Sequence, residues 1–446
     1  MERLMQAAGQ KALELAARKN IAAEAFILYN RELSIEVVNG QVENLKEADE
    51  MGLGIRVFNQ GKIGFAYSSD LSDAAVEGAV NDAAAISAFT SADEYNRLVK
   101  GNFIYPQLMT YDNQIAVTSL EDKIEMAREL ERAAKNYDRR ITVIERAGYE
   151  DSEFASLVMN SEGIYAFGRA NFSGIYISLV AQEDNDAQTG FAVMVKKKIS
   201  DLVTDEVGQE AAMRAVRSLK AKNIGSARLP CVMEPYVVTR FLGILSQLVS
   251  ADAVQKGKSM LAGRQGQVVA AQVFNLVDDA TCQEGIASFP FDGEGVAAQR
   301  NVVIENGVLK GYLYDTYTAA KAGVKSTGNG YRDSFRSLPS VNTTNFMVNP
   351  GNIHPDKLIG EIEKGFYITD VMGMHTANPI SGEFSVGAAG IMIEKGQLTY
   401  PVRGVTISGN LGSFLKDIEA VGSDVRFYGG KAAPSIRLKS LSIGGE

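Results

Sequence analysis

Apolar residues recur along this chain in two rhythms, and the order of those rhythms divides it into two parts. Over residues 2–19, Leu4, Met5, Ala8, Ala12, Leu15 and Ala16 fall three and four apart, which predicts an amphipathic helix stopped by Arg18-Lys19-Asn20. Strands over 25–29 and 33–38 follow, then a turn at Asn39-Gly40 and a hairpin tip around Asn59-Gln60-Gly61. An alanine-rich helix over 70–86, capped by Ser69 or Asp70, closes the unit. The same order then repeats. Ser119 caps a helix with Leu120, Ile124, Ala127, Leu130 and Ala134 on one face. Strands follow over 141–147, 154–159, 164–167, 173–181 and 190–196, and a helix over 204–220 closes the second unit. Asn160-Ser161-Glu162-Gly163 stands in the second unit where Asn39-Gly40 stands in the first. Residues 1–222 are therefore predicted as a duplicated helix–antiparallel sheet–helix domain, α+β and not a doubly wound parallel sheet.

Lys222-Asn223-Ile224-Gly225-Ser226 is a polar break, and a second domain over 223–446 is predicted beyond it. It begins with a strand over 229–233 and the most apolar helix of the chain, opening at Glu234-Pro235 and running to Val249. Val237, Val238, Phe241, Leu242, Ile244, Leu245 and Leu248 cover more than half of its circumference, so it is predicted to be buried. The remainder is mostly strand and turn. The best hairpin spans 302–314 and turns at Asn306-Gly307, with an echo over 393–398. Short helices are predicted over 316–322, 355–364 and 413–418, and a final strand over 434–443.

One stretch stands out from this pattern: Met374 to Gly390, which combines His375, an Asn378-Pro379 turn, Glu383 and the glycines Gly382, Gly387 and Gly390. Glycine this dense between strand residues marks backbone that needs positive φ or approaches another chain closely. It reads either as tight turns in a β domain or as a wall that contacts a peptide or a partner. The candidate contacts are His375, Asn378, Ser381, Gly382, Glu383, Phe384, Ser385 and Gly387, with Asn410 from a neighbouring segment.

Composition narrows the chemistry. The 446 residues are 46% hydrophobic and 22% charged, with a net charge of −9, which does not favour a nucleic-acid footprint. Lys196-Lys197-Lys198 is the one basic run and reads as a solvated strand end. No run of about 18 apolar residues is present to span a membrane. The first residues lack a basic leader with an apolar core, and the only cysteines are Cys231 and Cys282, so a cytoplasmic location is expected. With His354 and His375 as the only histidines, no His-x-x-x-His or His-Glu-x-x-His pair exists, and zinc needs three or four ligands. His354 reads as a surface or capping residue. No Gly-x-Ser-x-Gly elbow is present. Carboxylates gather at Asp278-Asp279, Glu284 and Asp292-Gly293-Glu294. They could serve acid–base chemistry or hold a cation, and are expected to be solvated turns.

Two long strings carry a resemblance. Phe291-Asp292-Gly293-Glu294-Gly295-Val296 through Ser326-Thr327-Gly328-Asn329, and the Met374–Gly390 stretch with Thr406-Ile407-Ser408-Gly409-Asn410, closely resemble the TldD/PmbA family, soluble proteins once called modulators of DNA gyrase. The resemblance extends over essentially the whole chain. It implies a heterodimeric metallopeptidase in which a TldD-type subunit holds zinc with a His-Glu-x-x-x-His helix and a late cysteine. PmbA-type subunits, also called TldE, lack both. Here the matching helix segment reads Leu242-Gly243-Ile244-Leu245-Ser246-Gln247, and the late region reads Arg426-Phe427-Tyr428-Gly429-Gly430. The resemblance thus implies a non-catalytic PmbA/TldE-like subunit, without a cofactor of its own, that pairs with a zinc-bearing TldD-like partner to cleave unfolded peptides. Two other readings remain: a homodimeric peptide-binding protein without hydrolytic activity, and a self-sufficient hydrolase using the loop carboxylates.

Overall fold

Six strands form one antiparallel sheet in the first half of the chain, and the duplication read from the sequence sets their order. The computed structural model describes residues 1–445. The first unit contains α1 (Glu2–Arg18), β1 (Ala22–Val38), β2 (Gln41–Asn59), β3 (Lys62–Ser68) and α2 (Asp73–Ser87). The second contains α3 (Leu120–Tyr137), β4 (Ile141–Asn160), β5 (Tyr165–Glu183), β6 (Asp186–Lys196) and α4 (Thr204–Arg217). The sheet order is β3-β2-β1-β4-β5-β6, so the two first strands pair at the centre and each unit extends outward from them. Helices α1 and α2 cover one half of one face, and α3 and α4 cover the other half of that face. Capping works as the sequence reads at Ser119, whose Oγ accepts from the Asp122 N–H at 3.1 Å. At α2 the helix starts later than predicted. Ser72 is the N-cap, and Asp70 instead accepts from the Ser72 N–H at 2.8 Å.

The strands are longer than the polar interruptions suggested. β1 runs unbroken through Asn30-Arg31-Glu32, and β4 runs through 148–153. These positions pair on both sides in the sheet, and Arg31 finds Glu47 on β2 at 2.7 Å, so polar side chains are solvated without loss of the ladder.

In the second half, a strand over Ala227–Met233 (β7) leads into the apolar helix, α5 (Pro235–Leu248). Strands Lys364–Met372 (β8), Glu383–Glu394 (β9), Gln397–Asn410 (β10) and Ile436–Gly444 (β11) join β7 in the order β10-β9-β8-β7-β11. Pairing of β10 with β11 closes this set into a five-stranded barrel. A second sheet of six short strands lies on the other side of α5, which is buried between the two as its composition predicts. The turn at Asn306-Gly307 has φ of 49° and 77°, as the Asn-Gly pair requires. The strand that follows it stops at Leu309, short of the predicted 314. The helix predicted over 355–364 also stops early, at Gly360, with His354 Nδ1 capping its start.

The domains meet on the sheet face that the helices leave bare. Phe26, Val158, Ile164, Phe291, Val296 and Phe335 form a core between them. Gly52 on β2 makes this possible: a Cβ there would lie 2.3 Å from the Phe335 ring. Lys197 also joins this contact, with Nζ donating to the Gln283 carbonyl at 3.0 Å, and is not the free strand end expected of a basic run. Among the described residues no helix is long and apolar enough to cross a membrane.

Candidate functional site

The helix segment singled out by the resemblance sits on α5, and the late segment runs beside it. Tyr236 of α5 meets Tyr428 edge-on at 5.3 Å, and the open side of Gly243 faces Lys431, whose Cε lies 4.0 Å from where a Cβ would stand. The fold therefore brings the two segments together. Their side chains, however, do not suit a metal. Leu242, Ile244 and Leu245 are buried hydrocarbon, Gly243 has no side chain, and Gln247 offers a neutral amide. Arg240 and Lys431 add positive charge, and burial together with Arg240 pulls the Lys431 pKa down. Zinc does not fit here. Among the described residues no group of three His, Cys, Asp or Glu side chains is placed to hold a metal ion.

The inward face of α5 explains part of the glycine-rich stretch. Phe241 stacks on Phe414 at 4.7 Å and meets Phe384 edge-on at 5.4 Å. Along β9, Phe384, Val386 and Ala388 point into the core, while Glu383 and Ser385 face out. Phe384 is thus a core anchor and not a contacting residue, because its ring is enclosed by two other rings.

The preceding loop is built by its own hydrogen bonds. Asn378 Oδ1 accepts from the N–H groups of Ile380 at 2.8 Å and Ser381 at 3.2 Å. Asn410 Nδ2 donates to the Ser381 carbonyl at 2.8 Å, while its Oδ1 accepts from the Gly412 N–H at 2.9 Å. Gly382, with φ of 78°, packs against Met260, whose sulfur would lie 2.6 Å from a Cβ. Asn378, Gly382 and Asn410 are therefore occupied in shaping the loop. Gly387 lies beside Met372 on β8. His375, Ser381, Glu383 and Ser385 remain exposed. Pro379 edges a cavity of about 300 Å³ together with Ser246, Gln247, Lys258 and Leu313. The loop thus borders the solvent-facing end of the α5 segment, a juxtaposition that no sequence spacing announced.

Most of the loop carboxylates are not solvated turns. Glu294 accepts from Arg56 Nη2 at 2.9 Å and from the Thr316 N–H at 2.8 Å. The same Arg56 nitrogen serves Glu24 at 3.0 Å, and Arg332 also bonds Glu24 and reaches the Gly293 carbonyl at 2.8 Å. Glu24, Arg56, Glu294 and Arg332 are all buried, and they tie the N-terminal sheet to the C-terminal loops. Asp292 accepts from the N–H groups of Glu294, Val296 and Gly330 at 2.9–3.0 Å. Burial and the neighbouring Glu294 push its pKa up. Burial alone would raise Glu294 as well, but Arg56 and the Thr316 donors hold it down. Asp278 is fully buried, and burial pushes it up to about 6 against hydrogen bonds from Asn329 and Thr344. Asp278, Asp292 and Glu294 thus each spend their carboxylate oxygens on structural hydrogen bonds. Sequence reading missed them because Arg56 and Arg332 stand far away in the chain. Of the acids named, Glu284 remains exposed.

Three family models match consecutive parts of the chain. The PmbA/TldA metallopeptidase domain 1 matches residues 23–87, the central domain 114–219 and the C-terminal domain 226–445. Metalloprotease PmbA of Escherichia coli O157:H7 is 28% identical over 100% of this chain and 97% of its own length. The crystal structure of a putative modulator of a DNA gyrase from Thermotoga maritima MSB8 superposes with a TM-score of 0.92 at 28% identity, covering 98% of this chain and 100% of that one. TldE from Thermococcus kodakarensis shares the fold, with a TM-score of 0.90 at 22% identity over 100% of both chains. The chain belongs to the TldD/PmbA metallopeptidase family.

Proposed function

We propose that this chain is the PmbA/TldE-type, non-catalytic subunit of a cytoplasmic two-subunit zinc metallopeptidase that cleaves unfolded peptides. One observation carries the reading: where α5 runs beside the late segment, the chain presents Leu242, Gly243, Gln247, Arg240 and Lys431, a set without a zinc donor. A TldD-like partner would supply the zinc, which polarises the scissile carbonyl and activates water. This chain contributes the wall around the exposed loop at His375 and Ser381 and the adjoining cavity at Gln247 and Pro379. The locked state of Asp292 and Glu294 weighs against a self-sufficient hydrolase. The test is co-expression with a TldD-type subunit, followed by size exclusion. A stable mixed complex that cleaves a denatured protein substrate is the expected result. A chain that never associates with such a subunit, and binds peptide only as a homodimer, would favour the peptide-binding reading instead.

A further inference from the structure

We propose that a cavity between the two domains, beside the Arg56 cluster, binds the carboxy-terminal residue of a peptide. The cavity is about 390 Å³ and is lined from both domains, with Arg56 at its buried end and Arg97 at its exposed rim. Arg56 Nη2 is engaged by Glu24 and Glu294, but its buried Nε finds no acceptor among the described residues. A buried guanidinium N–H without a partner is costly, and it invites an acceptor from whatever fills the adjoining space.

Charge indicates which acceptor fits. Arg56 and Arg332 are matched within the floor by Glu24 and Glu294, and the Asp315 carboxylate is taken up by the Thr318 N–H and hydroxyl. The floor thus has no spare positive charge, and Asp315 leaves it one carboxylate in excess, so it suits a neutral oxygen, such as a main-chain carbonyl, better than an anion. The rim differs. Lys256 is held by Asp252 at 2.8 Å, whereas Arg97 has no ion-pair partner among the described residues and is available to an anion. Phe58, Ile63 and Val341 contribute apolar lining to the cavity. A carbonyl inside, an apolar side chain along the wall and a negative group at the rim together describe the end of a peptide: the last peptide carbonyl, from the penultimate residue, followed by the terminal residue's side chain and free carboxylate.

This inference rests on the peptide class named above, and its test needs neither zinc nor cleavage. Fluorescein-labelled hexapeptides ending in leucine, one a free acid and one a carboxy-terminal amide, would be titrated by anisotropy against the full chain. The acid is expected to bind at least about tenfold more tightly. In Arg97→Gln the acid should fall to the affinity of the amide. Arg97 is exposed, so this substitution spares the fold. Equal affinities in the unsubstituted chain, no binding by either peptide, or an undiminished preference in Arg97→Gln would overturn the inference. A chain that binds acid and amide alike would refute this pocket and leave the non-catalytic-subunit reading intact.

Discussion

Arg56 on the N-terminal sheet and Glu294 in a C-terminal loop meet at 2.9 Å, both buried, across the interface of the two domains. Removing one partner of such a pair strands the other charge away from water. Glu294→Gln is therefore expected to lower stability by roughly 3–5 kcal/mol. Urea unfolding of the variant, with limited proteolysis as a second probe, checks this. An unchanged midpoint and cleavage pattern would show that the pair does not hold the domains together.

Phe384 and His375 lie close in sequence and should behave in opposite ways. Phe384→Ala removes a ring enclosed by Phe241 and Phe414, and should cost about 3–5 kcal/mol of stability. His375→Ala alters an exposed side chain and should change stability by no more than about 0.5 kcal/mol, with a modest loss of activity in the paired enzyme. Thermal or urea unfolding of both variants, with peptide cleavage by the reconstituted pair, separates anchor from surface. Loss of all activity in folded, paired His375→Ala would give that residue a larger role than wall.

Asp278 predicts a pH dependence. Burial pushes its carboxyl up to about 6 in the folded chain, above the ordinary value of about 4, so the folded state holds the proton more tightly than the unfolded state. Its contribution is full below about pH 4 and is lost as the pH rises towards about 6, a loss of about 3 kcal/mol. Asp278→Asn removes the titration. The difference in unfolding free energy between the two proteins, followed from pH 4 to 7, should shift in favour of the variant as pH rises. A constant difference would contradict the burial argument.

Much of the fold was legible because local signals agreed with tertiary packing. The apolar breadth of α5, the repeated order of helices and strands, and the Asn306-Gly307 turn each depend on neighbours in sequence. The polar triplet Asn30-Arg31-Glu32 misled, since pairing from both flanks holds a strand straight through residues that propensity would interrupt. The carboxylates misled for a related reason. Asp292 and Glu294 read as surface turn because part of what makes their burial tolerable is distant in sequence: Arg56 on the other domain and the Thr316 N–H serve Glu294, and the Gly330 N–H joins the local Glu294 and Val296 donors at Asp292. At the candidate site, the absence of a metal-binding pattern was visible in two histidines and two lone cysteines. That Asn378, Gly382 and Asn410 spend their polar groups on the loop itself was not visible, because those bonds depend on a turn and a helix start meeting in space.

The most direct test of the central claim is zinc content and peptide cleavage measured on the same purified chain, first alone and then with a TldD-type partner. The chain alone is expected to carry no stoichiometric zinc and to cleave nothing, and the mixed complex to do both, with about one zinc ion per heterodimer, as a single catalytic site requires. Stoichiometric zinc and cleavage by the chain alone would contradict it.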